Sequence, residues 1–178
     1  MGDFKDLVRV RRSIRQFAET KLKPEEVVTL MNAALLAPTS KGKRPCEFLL
    51  VDEPILLHQL AECKPNGAKL IESAALAIVV LADPEVSDIW VEDASVASTH
   101  LLLQAEDMGL GACWVQVRRR TQEDGTPAAD FVRDILSIPS NIEVLSIIAV
   151  GHKVKPRPPY TDEDVAWEKT FLNKYGVQ

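Results

Sequence analysis

Apolar residues recur along the chain with two different rhythms. Val27, Leu30, Met31, Ala34 and Leu35 fall at helical spacing, as do Trp90, Ala94, Ala97, Leu101, Ala105 and Met108. That spacing lines one face of an amphipathic helix and assigns these residues to the core. Between the helical stretches lie short unbroken apolar runs rich in branched side chains: "EFLLV" from 47, "LAIVVLAD" from 76, "ACWVQV" from 112 and "VLSIIAVG" from 144. Runs this short predict strands, and their lack of polar alternation predicts burial on both faces.

Local signals set the boundaries. Asp3 can cap a short first helix with Phe4, Leu7 and Val8 on one face. Pro24 opens a second helix, with Glu25 and Glu26 in the first turn, where the helix dipole favours negative charge. It should stop before Pro38, ahead of the loop "PTSKGKRP". "ILLHQLAEC" predicts a helix ending at the turn "KPNG". The longest helix runs from about Trp90 to Met108 and ends at Gly109. Thr126 and Pro127 open a further helix as cap and first residue. About four strands among five or six helices make a layered α/β or α+β domain. The tail after His152 begins rich in proline and then carries Val165, Trp167, Phe171 and Leu172. Those side chains need a partner surface, on their own domain or on a second subunit.

At 178 residues the expectation is one domain, 1–178, with a core large enough to need no metal or disulfide staple. The net charge of −5 argues against a general nucleic-acid binder, so any basic function has to be local. Cys46, Cys63 and Cys113 are widely spaced and form no C-x-x-C, which fits free thiols in a reducing compartment. His58, His100 and His152 lack metal-ligand spacing. No signal segment opens the chain, and the longest apolar run is too short to cross a bilayer. The expected location is the cytoplasm, away from membranes.

The local basic charge is "RVRRSIRQF", residues 9 to 17. If this stretch is extended, Arg11, Ser13 and Arg15 project from one face, and Arg12, Ile14 and Gln16 from the other. Two guanidiniums flanking a hydroxyl suit one phosphate. Lys69, Lys155 and Arg157 could supply further cations. Each charge-assisted hydrogen bond is worth about 1.5–3 kcal/mol, so three or four could hold a dianion. A solvated face and a nucleic-acid contact are the alternatives, the latter opposed by the acidic balance and the absence of interleaved aromatics.

Other candidates have plainer readings. "GLGACW" lacks the third glycine of a dinucleotide loop and follows a helix rather than a strand, so Gly109 and Gly111 read as a helix end and a point of close approach. No base is placed beside any cysteine. His100 reads as a satisfied core histidine. Asp93, Glu106 and Asp107 read as a solvated helix face.

Taken in order, these segments resemble the FMN-dependent nitroreductases. "RRSIRQF" is similar to that family's phosphate-binding signature, and "LAPTSKGKRPCEF" to a loop that usually reads A-P-S-S-x-N-x-Q-P-W-x-F. "NGAKLIESAALAIVVLAD", "DASVASTHLLLQAEDMGLGACWV" and "AVGHKVKPRPP" resemble its lysine-bearing segment, its dimer helix with the following strand, and its C-terminal glycine segment. The resemblance implies an α+β fold with a mixed central β-sheet flanked by helices on both faces, in an intertwined homodimer with FMN at the interface. The C-terminal arm, about 152–178, would pack on the partner. Arg11, Arg12 and Ser13 would hold the FMN phosphate and ribityl chain, with Arg157 and Lys155 closing the phosphate from the far side. Arg15 and Lys69 would lie near the pyrimidine edge of the ring, with Asn66 close by. Trp114, Val115 and Gln116 would run along the ring, and Pro38, Thr39 and Ser40 would cover it from the other subunit.

The implied activity is hydride transfer from NAD(P)H through FMN to a nitroaromatic, quinone or similar small acceptor. No acid–base dyad is needed, because the cofactor carries the difficult chemistry. A flavin store or sensor without fast turnover is the alternative. Gly42, Arg44 and Cys46 depart from the usual loop residues, and Lys41, Lys43 and Arg44 make the loop strongly positive. That charge is expected to favour an anionic acceptor or the donor's phosphates, unless the loop is simply solvated.

Overall fold

The computed structural model describes residues 3–177. Residues 1, 2 and 178, the ends of the span expected to form one domain, lie outside the described residues.

Four apolar runs become strands: β1 (Cys46–Val51), β2 (Leu76–Ala82), β3 (Leu110–Gln116) and β4 (Glu143–His152). They form one sheet in the order β1-β2-β4-β3, with every neighbouring pair antiparallel. The central strands carry the least polar sequences and are buried on both faces. Ile78 lies opposite Ile148 and Val79 opposite Ile147, and a bulge between Val80 and Leu81 shifts the register. The four strands pair antiparallel throughout, and the parallel contact at the sheet edge is an isolated bridge between Ser13 and Ala112 of β3.

Helices cover both faces. On one side, Leu57 and Leu60 of α3 (Pro54–Ala61) and Val132 of α5 (Ala128–Leu136) pack over Ala77, Val79, Ile147 and Ala149. On the other, Leu30 and Ala34 of α2 (Pro24–Leu35) join Ala94 and Leu101 of α4 (Trp90–Asp107) over Ile78, Val80, Ile148 and Val150. The short α1 (Phe4–Val10) lies beside α4, and Asp3 caps it by accepting from the Lys5 N–H at 3.3 Å.

Several boundaries and faces differ from expectation. Leu35 is 57% exposed and is not core, because Leu30 and Ala34 take the sheet-facing line and turn Leu35 to the rim. Asp93 and Glu106 are not on a solvated face. Asp93 is buried, and Glu106 is covered and ion-paired with Lys153. Thr126 and Pro127 sit one position too early, since α5 begins at Ala128 with Pro127 as its cap residue. His100 does find a partner, the Ala33 carbonyl 3.2 Å from its Nδ1. Gly109 ends α4 with φ of 76°.

Candidate functional site: a cationic cleft where the two chain ends meet

The arginine stretch is extended because two of its side chains are core. Ile14 and Phe17 are buried, while Arg15 and Gln16 between them face outward. The backbone is tied to the sheet edge: the Ile14 N–H donates to the Ala112 carbonyl at 3.0 Å, and the Ala18 N–H to the His152 carbonyl at 2.9 Å. Two glycines make the seat. Gly111 and Gly151 lie opposite each other across β3 and β4. A Cβ on Gly111 would stand 2.8 Å from Ile14 Cγ2, and one on Gly151 would stand 2.9 Å from Phe17 Cβ. Real side-chain atoms do not approach that closely, so a bare backbone is required at both positions.

After β4 the chain returns antiparallel along this stretch. Phe17 bridges to Lys153, and the Val154 N–H reaches the Gln16 carbonyl at 3.5 Å. Arg157 Nη1 donates to the Ser13 carbonyl at 3.4 Å. The Arg12 guanidinium donates to the Pro158 carbonyl and lies 4.2 Å above the Tyr160 ring. The Tyr160 N–H reaches the Arg9 carbonyl at 2.9 Å, and Arg9 pairs with Asp162 at 2.6 Å.

This zipper gathers Ser13, Arg15, Lys155 and Arg157 around one cleft of about 400 Å³. Among the described residues, none of Arg11, Arg15, Lys155 or Arg157 forms an ion pair. Unpaired cations beside a hydroxyl form a donor set suited to a phosphate monoester. Arg12 is turned to the arm instead, so its fastening role is distinct from that of the cleft-lining cations.

Arg15 also lines a second, larger cleft of about 670 Å³, together with Phe17, Lys69, Leu70, Glu72 and Ala74. Lys69 stands on the 3-10 turn Lys69–Ser73, with its Nζ 3.0 Å from Glu72 and 3.3 Å from Glu62. Glu72 also meets His58 Nδ1 at 2.9 Å. These hydrogen bonds, Glu72's first, raise the Lys69 pKa; Lys69 and then His58 lower that of Glu72. Asn66 is exposed in the preceding turn, without a side-chain hydrogen bond among the described residues.

Alternation along β3 divides the next three candidates. Trp114 and Gln116 lie on the α4 side, where Trp114 Nε1 donates to Gln116 Oε1 at 2.8 Å and Gln116 Nε2 to the Arg118 carbonyl at 2.8 Å. Val115 faces the other side, toward the core that includes Ile14. Cys113, read from sequence only as a thiol without a base, is a neighbour of this face. Burial raises its pKa, against the opposing pull of Arg15, Ser13, Arg11 and Lys64. Cys113 is buried in β3 next to Ala112, the residue that bridges to Ser13, and two positions beyond Gly111; that spacing was the available signal.

Pro38, Thr39 and Ser40 do not join this cleft in one chain. Their loop is held on the α4 side: the Ser40 N–H donates to Asp93 at 2.8 Å, and the Arg44 N–H to the Thr39 hydroxyl at 3.0 Å. The buried Asp93 also accepts from the Ser87 hydroxyl at 3.1 Å. Lys41 and Arg44 both adopt φ of 52°, an uncommon backbone state for non-glycine residues. No ion pair involves Lys41, Lys43 or Arg44 among the described residues. Elsewhere, burial pushes the Cys46 and Cys63 thiols up to about 11, so neither is poised as a nucleophile.

An α+β sandwich with an anion-seeking cleft at the sheet edge defines the class. The sequence profile of the Nitroreductase family matches residues 8–77 and 57–152. The chain belongs to the nitroreductase family. It is similar to a solved structure of an FMN-dependent nitroreductase from Clostridium difficile R20291, at 38% identity and a TM-score of 0.94 over 96% of this chain and 99% of that one. An Archaeoglobus fulgidus protein provisionally named NADH dehydrogenase/NAD(P)H nitroreductase is 32% identical over 89% of this chain and 90% of its own. The NADPH-flavin oxidoreductase of Vibrio harveyi is 28% identical over 89% of this chain and 71% of its own. No helix among the described residues is long and apolar enough to cross a membrane.

Proposed function

We propose that this chain is a single-domain, homodimeric FMN oxidoreductase that takes hydride from NAD(P)H and delivers it to a nitroaromatic, quinone or similar electron-poor small molecule. The observation that carries this reading is the gathering of Ser13, Arg15, Lys155 and Arg157, from both chain ends, around one cleft without a carboxylate. That donor set fits the phosphate of FMN, and the adjoining cleft shared by Arg15 and Lys69 has room for part of a ring system. When bound, FMN supplies reversible hydride acceptance.

The chain's own groups bind and orient it. Arg11, Ser13, Lys155 and Arg157 hold the phosphate, while Arg12 fastens the arm that delivers Arg157. Arg15 lies toward the ring edge where negative charge develops. Asn66 and Lys69 border that edge, and the backbone of Trp114, Val115 and Gln116 lines the ring. Pro38, Thr39 and Ser40 reach the partner's cofactor rather than their own. Exposed apolar side chains on α1 and α2 (Phe4 and Val28), at the end of α2 (Leu36) and on the arm (Trp167, Leu172 and Tyr175) support burial between two copies.

The unpaired Lys41, Lys43 and Arg44 favour an anionic acceptor or the donor's phosphates. Turnover of carboxylated nitroaromatics should exceed that of neutral ones and fall with salt; equal rates without salt dependence would contradict this preference. The activity itself is tested by anaerobic titration of the FMN-loaded protein with NADH and NADPH. Bleaching of the flavin band by a nicotinamide, then its return on adding a nitroaromatic, is the expected result. A bound flavin that neither nicotinamide reduces would replace the enzyme with a flavin store.

A further inference from the structure

The larger cleft is lined by the cations Arg15, Lys21 and Lys69 and the carboxylates Glu19, Asp52 and Glu72, and the two cations assigned to the ring edge, Arg15 and Lys69, have unequal surroundings. Arg15 has no carboxylate partner among the described residues, whereas Lys69 has two within 3.3 Å. Glu72 shares the 3-10 turn with Lys69, and that turn is anchored by the fully buried Ile71. Glu62 comes from the end of α3, which packs against the turn. The backbone positions from which both acids reach Lys69 are therefore fixed by packing. Lys69, Glu62 and Glu72 together carry one net negative charge, and Glu72 lines the same cleft as Arg15 and Lys69.

We propose that Glu62 and Glu72 are positioning residues that clamp Lys69, offset its charge, and hold the reduction potential of the bound flavin low, leaving Arg15 as the effective cation at the ring edge. The inference rests on the FMN reading above. Hydride transfer adds one negative charge to a neutral ring, so a nearby cation favours the reduced form and a nearby anion disfavours it. The clamped trio adds its net negative charge to that balance, so Lys69 does not act there as a free cation. Its carboxylates make the cofactor a weaker hydride acceptor and a stronger donor to the second substrate.

The test is the midpoint potential of the FMN-loaded protein, measured by dye equilibration, with the dissociation constant of oxidised FMN measured alongside. All four altered side chains are surface groups, so the variants E62Q/E72Q, K69M and R15M should fold. E62Q/E72Q should raise the potential enough to tighten reduced over oxidised FMN about tenfold, which is about 30 mV for a two-electron couple. K69M alone should change that ratio less than about threefold, and R15M should lower it about tenfold or more. An unmoved or lowered potential in E62Q/E72Q overturns the clamp, as does K69M lowering it as far as R15M. Failure of the unaltered protein to bind FMN would instead overturn the function on which the clamp rests.

Discussion

Arg157 joins the two ends of the chain, since its guanidinium reaches the Ser13 carbonyl from 144 residues away. Replacing it with alanine removes one cation from a cleft that offers an anion few others. A charge-assisted hydrogen bond is worth about 1.5–3 kcal/mol, so Arg157→Ala should weaken FMN binding about ten- to hundredfold in a fluorescence titration. The thiols make a second residue-scale prediction. Cys63 and Cys46 are held neutral by burial, with pKa values raised to about 11 from 9.0. Between those values the unfolded chain has released protons that the folded chain retains, so folding stability must fall as pH rises from 9 to 11. Urea midpoints should drop across that window, and the drop should be shallower in Cys63→Ala. The cation at position 12 illustrates what a sequence conceals. Alternation placed Arg12 opposite Arg11 and Ser13, but its partners are a backbone carbonyl and a ring of the distant arm, which no local pattern encodes.

At the scale of elements, the glycine pair decides whether the arginine stretch can lie flat. Gly111→Ala would push a methyl group into Ile14, and Gly151→Ala would push one into Phe17. Overpacking of this kind costs about 1–3 kcal/mol. Each variant should lose that much stability in urea and should bind FMN less tightly, because the stretch carries Ser13 and Arg15. If Gly111→Ala changes neither, the seat is not what positions the cations. Asp93 has a parallel role for the loop at 38–44. Asp93→Ala leaves the Ser40 N–H and the Ser87 hydroxyl without their acceptor, at a cost of about 1–3 kcal/mol. The periodicities at 27–34 and 90–108 and the four apolar runs were legible from sequence because burial selects side chains directly. Strand order and direction were not, since a run buried on both faces suits either pairing. Leu35 and Asp93 misled for the same reason: helical spacing names a stripe, but its edges depend on which neighbours arrive.

For the molecule as a whole, the arm has two parts. Residues 153–162 fasten to residues 9–17 of the same chain and complete the cationic cleft. Beyond them, Trp167, Leu172 and Tyr175 stay exposed, with Tyr175 at 92%. Removing residues 166–178 should therefore spare the cleft but weaken the proposed dimer, visible as a concentration-dependent shift toward monomer in light scattering. A truncated chain that remains fully dimeric would show that the contact lies on α1 and α2 instead. The Lys69 clamp also belongs to this scale, because Glu62 reaches the lysine only through the packing of α3 against the turn.

On the function proposed above, both chain ends build one seat for the phosphate of a flavin. Calorimetric titration of the flavin-free protein with FMN and with riboflavin, which lacks only that phosphate, tests it most directly. Several charge-assisted bonds are at stake, so FMN should bind at least about a hundredfold more tightly, with an advantage that shrinks as salt rises. Equal affinity for the two flavins would mean that Ser13, Arg157 and their neighbours do not grip the phosphate.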